Sequence, residues 1–243
     1  MSQAAVDPGA GAGPNRAALL EQIAGSLACL RPDRRLRVAI DGVDGAGKTT
    51  FADELAGYLA GRRPVVRASV DGFHQPRTLR YRRGRESSAG FYLDSYDYPA
   101  LLGELLEPLA SGGDGRYRTA IFDVATDAAL TLPRCQAPET AVLLFDGIFL
   151  QRPELAHCWD LVIFLSVDFA VSVPRGASRG GGYGSPDPAA ATNRRYVAGQ
   201  RRYPAEVRPG ERADVTIDNT DLNWPLVLRS SSDDLGVAGS QSA

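Results

Sequence analysis

The stretch Leu36-Arg37-Val38-Ala39-Ile40-Asp41-Gly42-Val43-Asp44-Gly45-Ala46-Gly47-Lys48-Thr49 decides the fold. Leu36 to Ile40 is a short apolar run ended by Asp41-Gly42, and it reads as a buried strand. Gly42 to Thr49 then match the pattern G-x-x-x-x-G-K-[ST] in full. Thr49 to Ala60 carries a helical pattern, so the order is strand, glycine-rich loop, helix. Glycines let backbone N–H groups approach phosphate oxygens closely, and the helix N-terminus adds partial positive charge at the same point. The segment is therefore expected to hold a nucleoside triphosphate through Gly42, Asp44, Gly45, Ala46, Gly47, Lys48, Thr49 and Thr50. Lys48 is expected to reach the β- and γ-phosphates, and the Thr49 hydroxyl to ligate Mg²⁺. ATP and Mg²⁺ are the implied cofactors.

Outward from the loop, strands and helices alternate. Helical spacing runs from Arg16 to Leu30, with Leu19, Leu20, Ile23, Leu27 and Leu30, and again from Pro99 to Ala110. Strand-like runs are Pro64 to Val70, Thr119 to Asp123, Ala141 to Phe145, Leu161 to Val167 and Val215 to Asp218. This alternation predicts an α/β domain, a three-layer sandwich with a mostly parallel central sheet covered by helices on both faces. The domain is placed at residues 15–229. The Gly/Ala/Pro-rich residues 1–14 and the Ser/Asp/Gly-rich residues 230–243 read as disordered tails.

The chain has 243 residues, a net charge of −2, three cysteines and two histidines. The balanced charge gives no field for nucleic acid. No apolar run nears the roughly 18 residues of a membrane span, and the N-terminus has no signal-peptide pattern. The cysteines show no Cys-x-x-Cys spacing, so a cytoplasmic setting is expected, with a small-molecule substrate, no nucleic acid and no membrane as partners. A homo-oligomer stays open.

Carboxylates at strand ends are the next candidates, because in parallel sheets functional groups gather at the carboxyl edge. Asp71 follows the run Val65 to Val70. It is either a base for an attacking hydroxyl or the corner of an Asp-Gly turn. Asp146 ends Ala141 to Phe145 and has the pattern of an acid that holds Mg²⁺, directly or through water. Its bland reading is a plain strand-end carboxylate.

The loop, together with Asp71-Gly72-Phe73-His74, Phe91-Tyr92-Leu93-Asp94-Ser95-Tyr96-Asp97, Phe145-Asp146-Gly147 and Ile217-Asp218-Asn219, resembles the uridine kinase, phosphoribulokinase and bacterial pantothenate kinase group. The likeness is nearest to bacterial uridine kinase-like proteins and runs from about Leu36 to Trp224. It implies transfer of the γ-phosphate of ATP to a hydroxyl of a small metabolite, with a nucleoside such as uridine or cytidine first and pantothenate or a sugar phosphate as the alternative. By the resemblance Asp71 is the catalytic base, with Phe73 and His74 beside it in the substrate site. Asp97 binds ribose hydroxyls, or else caps the following helix. Phe122 stacks on the base, or else belongs to the core, and Asp123 lies near the substrate. Asp127 stands where uridine kinases carry a pyrimidine-contacting His.

The resemblance also places a lid at about residues 171–186, with Arg175 and Arg179 joining Lys48 in the catalytic set. Pro174 stands where an Arg is usual, and Gly176 and Gly180 to Gly182 weaken a helix. A helix that is short, broken or mobile is expected. Arg77, Arg80, Arg82, Arg83 and Arg85 read as a solvated loop or as a cover for an anionic substrate. A further helix is expected from about Asp187 to Tyr203, with Arg194, Arg195, Arg201 and Arg202 as surface charges. Two other classes remain: an NTP-hydrolysing switch without an organic acceptor, and a nucleotide-binding relative with little turnover.

Overall fold

The computed structural model describes residues 14–179 and 183–231. The tail readings for residues 1–13 and 232–243, and the lid glycines Gly180 to Gly182, lie outside the described residues.

Six strands form the central sheet: β1 (Leu36–Gly42), β2 (Val65–Ser69), β3 (Val142–Gly147), β4 (Leu161–Ser166), β5 (Val215–Asp218) and β6 (Leu226–Ser230). Their order is β6-β5-β4-β1-β3-β2. All neighbours are parallel except the edge pair β5–β6. The long helices are α1 (Arg16–Cys29), α2 (Lys48–Leu59), α4 (Phe169–Ser178) and α5 (Arg194–Val207), with the shorter α3 (Ser88–Asp94) packing on α5. The result is the expected α/β three-layer sandwich.

The strands read as continuous apolar runs because both faces are covered. Val38, Ile40, Val142 and Leu144 join the helix layer of Leu19, Ile23, Leu27, Phe51 and Leu55. Their alternate neighbours Ala39, Leu143 and Phe145 pack with Phe73, Phe91, Phe149 and Tyr203 on the other face. Asn15 caps α1, its side chain accepting the Ala18 N–H at 2.9 Å. Register then assembles the site. Asp146 pairs with Ile40 on one side and Ser69 on the other, and Gly42 pairs with Leu165. The glycine-rich loop, Asp146 and the segment after β2 thus share one carboxyl edge.

Several sequence expectations are corrected. Thr119 to Asp123 is not a strand of the main sheet. Only Phe122–Asp123 pairs, with Ala128–Ala129, because the Asp123 side chain takes the Ala125 N–H and the Thr126 hydroxyl and folds the chain back as a hairpin. Pro99 to Ala110 is instead one α-turn at Tyr98–Leu101 followed by a π-turn at Leu102–Leu106. Pro108, without an N–H, disfavours helix at the residue before it. Residues 187–193 do not open the late helix, because the Asp187 side chain holds a turn and Asn193 binds the Ser185 and Asp187 carbonyls. The helix starts at Arg194 and runs past Tyr203 to Val207. Strand β6 carries the folded chain to Ser230, so the domain does not stop at 229.

The lid helix α4 is short, as expected, but Pro174 does not break it. Pro174 removes only the hydrogen bond its own N–H would make to the Ala170 carbonyl. Packing of Val173 against Tyr183 and Val197 holds the helix in place.

Candidate active site

The loop turns at Gly45 (φ +78°) and Gly47 (φ +90°), a backbone region that only glycine enters freely. A Cβ at Gly45 would lie 2.0 Å from the Ser172 carbonyl oxygen of α4, so the lid helix sits directly on the loop. Lys48 is buried and donates from Nζ to the Val43 carbonyl at 2.9 Å, stretched across the loop it serves. Asn219, at the end of β5, donates from Nδ2 to the Ala46 carbonyl at 2.7 Å and holds the loop from behind.

Thr49 lies in the first turn of α2, and its Oγ1 donates to Asp146 Oδ2 at 2.7 Å. The other oxygen, Oδ1, accepts from Arg67 Nη2 at 2.9 Å. Among the described residues no group of three or more His, Cys, Asp or Glu side chains gathers to hold a metal. Mg²⁺ needs no such cage, since it is bound by one or two protein oxygens plus substrate phosphates. A hydroxyl and a carboxylate at hydrogen-bond distance, both hard oxygen donors, fit that ion.

A cavity of about 480 Å³ opens over the loop. Asp44, Gly45, Gly47, Lys48 and Thr49 line its floor, and Asp146 lies beside them. Asp71 and His74 line it from the turn after β2, and Arg179 reaches it from the lid. The Ser69 side chain caps this turn, accepting the Asp71 N–H at 3.4 Å. His74 Nδ1 meets the Asp71 carbonyl at 2.9 Å, and its ring packs on Tyr96 with centroids 4.7 Å apart. Burial pushes the His74 imidazole below its ordinary pKa, and the Arg80 charge acts in the same direction. Burial raises the Asp44 carboxyl; Lys48 opposes the rise and Asp71 adds to it. Asp44 therefore feels Lys48 and Asp71, and His74 feels Asp71 and Arg80, within one site.

Other expected residues are placed elsewhere. Phe73 is core, packed on Phe145 with centroids 6.4 Å apart. Asp97 accepts the Ala100 N–H at 3.0 Å, so the helix-cap reading is the observed one. Phe122 is buried and does not line the cavity, and Asp123 is occupied by its own turn. Arg175 donates to the Asn219 carbonyl at 3.0 Å and to the Thr220 carbonyl, away from the cavity lining. Gly42 and Ala46 back the loop, and Thr50 is exposed on α2 outside the lining.

Four further groups shape the site. Asp41 is fully buried behind the loop and accepts from the Tyr203 hydroxyl at 2.5 Å, Gln151 Nε2 at 3.1 Å and the Gly42 N–H at 2.8 Å. Gln200 Oε1 accepts the Asp44 N–H at 2.6 Å. Arg80 and Arg195, expected in a solvated loop and on a helix surface, are both buried and line the cavity.

No family model matches the sequence, and no curated protein matches it. Solved structures do. The chain is similar to "a possible uridine kinase" from Bacillus stearothermophilus, with 22% identity, TM-score 0.64, and coverage of 82% of this chain and 96% of that one. It is also similar to a "putative fructose transport system kinase" from Silicibacter sp. TM1040, with 28% identity, TM-score 0.64, and coverage of 84% and 99%. Among the described residues no helix is long and apolar enough to cross a membrane. This chain has the fold of a uridine kinase-like P-loop kinase.

Proposed function

We propose that this chain transfers the terminal phosphoryl group of ATP to a hydroxyl of a small metabolite. One observation carries the reading: the Asp71 carboxylate lines the same cavity as the glycine-rich cradle, Lys48 and Thr49. The bond formed joins the acceptor oxygen to the γ-phosphorus. The bond broken joins that phosphorus to the β–γ bridging oxygen, and the acceptor proton passes to Asp71. The loop amides and Lys48 orient the triphosphate, while Arg179 places positive charge at the open side. Thr49 and Asp146 would hold Mg²⁺, which supplies charge neutralisation on the phosphate oxygens. The helix α4 over Gly45 restricts water at the loop.

For the acceptor, the relative from Silicibacter supports a compact polyhydroxylated molecule such as a sugar. A nucleoside is the second reading, supported by the rings of His74, Tyr96 and Tyr81 on the cavity wall, which could flank a base. The test is ADP release from ATP and Mg²⁺ across sugars, sugar phosphates, nucleosides and pantothenate. Acceptor-dependent release is expected, abolished in Asp71→Asn with ATP binding retained. Full turnover in Asp71→Asn, or equal release without any acceptor, would overturn the proposal.

A further inference from the structure

Arg195 stands out among the cavity residues. It is only 7% exposed, yet its guanidinium makes no hydrogen bond or ion pair among the described residues. Aromatic rings surround it instead: its Cζ lies 4.7 Å from the Tyr81 centroid, 5.6 Å from Phe91 and 5.7 Å from Tyr196. Arg80 is 8% exposed, and its Cζ lies 5.5 Å from the same Tyr81 ring. Nη2 of Arg80 is paired with Asp127 at 3.1 Å, but its Nε is buried without a partner. A guanidinium stays charged at any physiological pH, so burial cannot be relieved by losing a proton. Ring faces compensate only part of the lost hydration, and buried charges are otherwise paired. Two buried, converging forks with open donors on one cavity are the arrangement that accepts a planar carboxylate or a phosphate.

These forks share the cavity with the triphosphate cradle but stand on other elements of the chain. Arg80 follows the Asp71 turn and feels His74, whereas the cradle already has Lys48 and Arg179. We infer that Arg80 and Arg195 form an anion site for the acceptor, so that the substrate is a small hydroxylated metabolite carrying a phosphate or carboxylate group. The inference rests on the kinase reading and narrows its substrate class.

The decisive experiment measures sulfate and inorganic phosphate binding to the full chain saturated with a non-hydrolysable ATP analogue and Mg²⁺, so that the cradle is filled. One anion is expected to bind beside the analogue, at least about tenfold more weakly in Arg195→Gln and Arg80→Gln. Analogue affinity is expected to hold in both variants, and circular dichroism checks that they are folded. Two acceptor arms separate the sources of the charge. Hexose against hexose phosphate reads the phosphate, and glycerol against glycerate reads the carboxylate; the anionic member is expected to win by about a hundredfold in kcat/KM. Absence of anion binding beside the bound analogue overturns the inference. So does loss of analogue affinity in Arg195→Gln, which would place that guanidinium on ATP. Preference for the neutral members overturns it as well. Failure of the analogue itself to bind would instead sink the kinase reading.

Discussion

Gln200 of helix α5 closes on Asp44 of the phosphate loop from both sides. Its Oε1 accepts the Asp44 N–H at 2.6 Å, and its Nε2 donates to Asp44 Oδ2 at 3.2 Å and to the Tyr183 hydroxyl at 2.8 Å. One amide side chain therefore ties loop, lid region and late helix together. Gln200→Glu keeps the shape but replaces the donor with a second carboxylate facing the half-buried one of Asp44. Two like charges in one buried site cost several times a hydrogen bond. At pH 7.5 we expect a stability loss of about 2 kcal/mol and a KM for ATP raised roughly tenfold. Thermal melts and initial rates check both, and an unchanged KM would mean that Gln200 does not position the loop.

Asp146 is shared between Thr49 and Arg67. Asp146→Asn preserves its size and its acceptor oxygen while removing the charge that would face the cation. The Mg²⁺ concentration giving half-maximal turnover is expected to rise by about tenfold or more, with maximal turnover partly recovered at high Mg²⁺. Titration of activity against Mg²⁺ at fixed free ATP measures this. An identical titration curve would show that the cation is held elsewhere.

The shape of the loop was legible in the sequence, because Gly45, Gly47, Lys48 and Thr49 lie within five positions whose backbone geometry is local, although Thr50 of the expected set lies outside the cavity lining. Asp71 and Asp146 were legible for a related reason, since apolar runs fix where strands end. The acceptor side was not. Whether Phe73 faces the cavity or Phe145 depends on which way a turn after β2 rolls, and Asp97 is consumed by its own helix end. Arg80 and Arg195 looked like surface charge because a tyrosine next in sequence does not by itself bury an arginine. Their burial comes from Tyr81, Phe91 and Tyr196, brought together by the packing of α3 on α5, with Gly199 allowing Phe91 close approach. That contact is over a hundred residues apart along the chain and leaves no local pattern.

Gly45 tests how tightly the lid helix bears on the loop. Alanine there must adopt φ near +78° and place a methyl 2.0 Å from the Ser172 carbonyl oxygen, a backbone atom that cannot swing aside. Gly45→Ala is expected to cost about 2–3 kcal/mol, lowering Tm by roughly 5–10 °C, and to weaken ATP binding. Gly57→Ala, in α2 with open space around the site of its Cβ, is the matched control and should gain up to about 1 kcal/mol. Equal behaviour of the two variants would show that α4 does not press on the loop.

The buried pair Asp41–Tyr203 makes a prediction about pH. Burial is the largest influence on Asp41 and raises its carboxyl pKa; the Tyr203 and Gln151 hydrogen bonds, the Gly42 amide and Lys48 oppose that rise. A carboxyl whose folded pKa lies above its unfolded value contributes stability that is complete below the unfolded pKa and is lost as pH rises through the folded one. Tyr203→Phe removes a donor that favours the ionised form, and it also orphans the Gln151 N–H that now donates to the Tyr203 oxygen at 2.8 Å. The folded pKa of Asp41 therefore moves further up in the variant. Part of the loss, the orphaned amide, is independent of pH; the part that works through Asp41 grows as pH rises and shrinks as it falls. Near pH 8 we expect a total of about 2–3 kcal/mol, and a measurably smaller deficit near pH 5. Paired urea melts of wild type and Tyr203→Phe across that range decide it. A deficit that stays constant, or grows toward acid, would mean that Asp41 does not titrate in the folded chain as its burial requires.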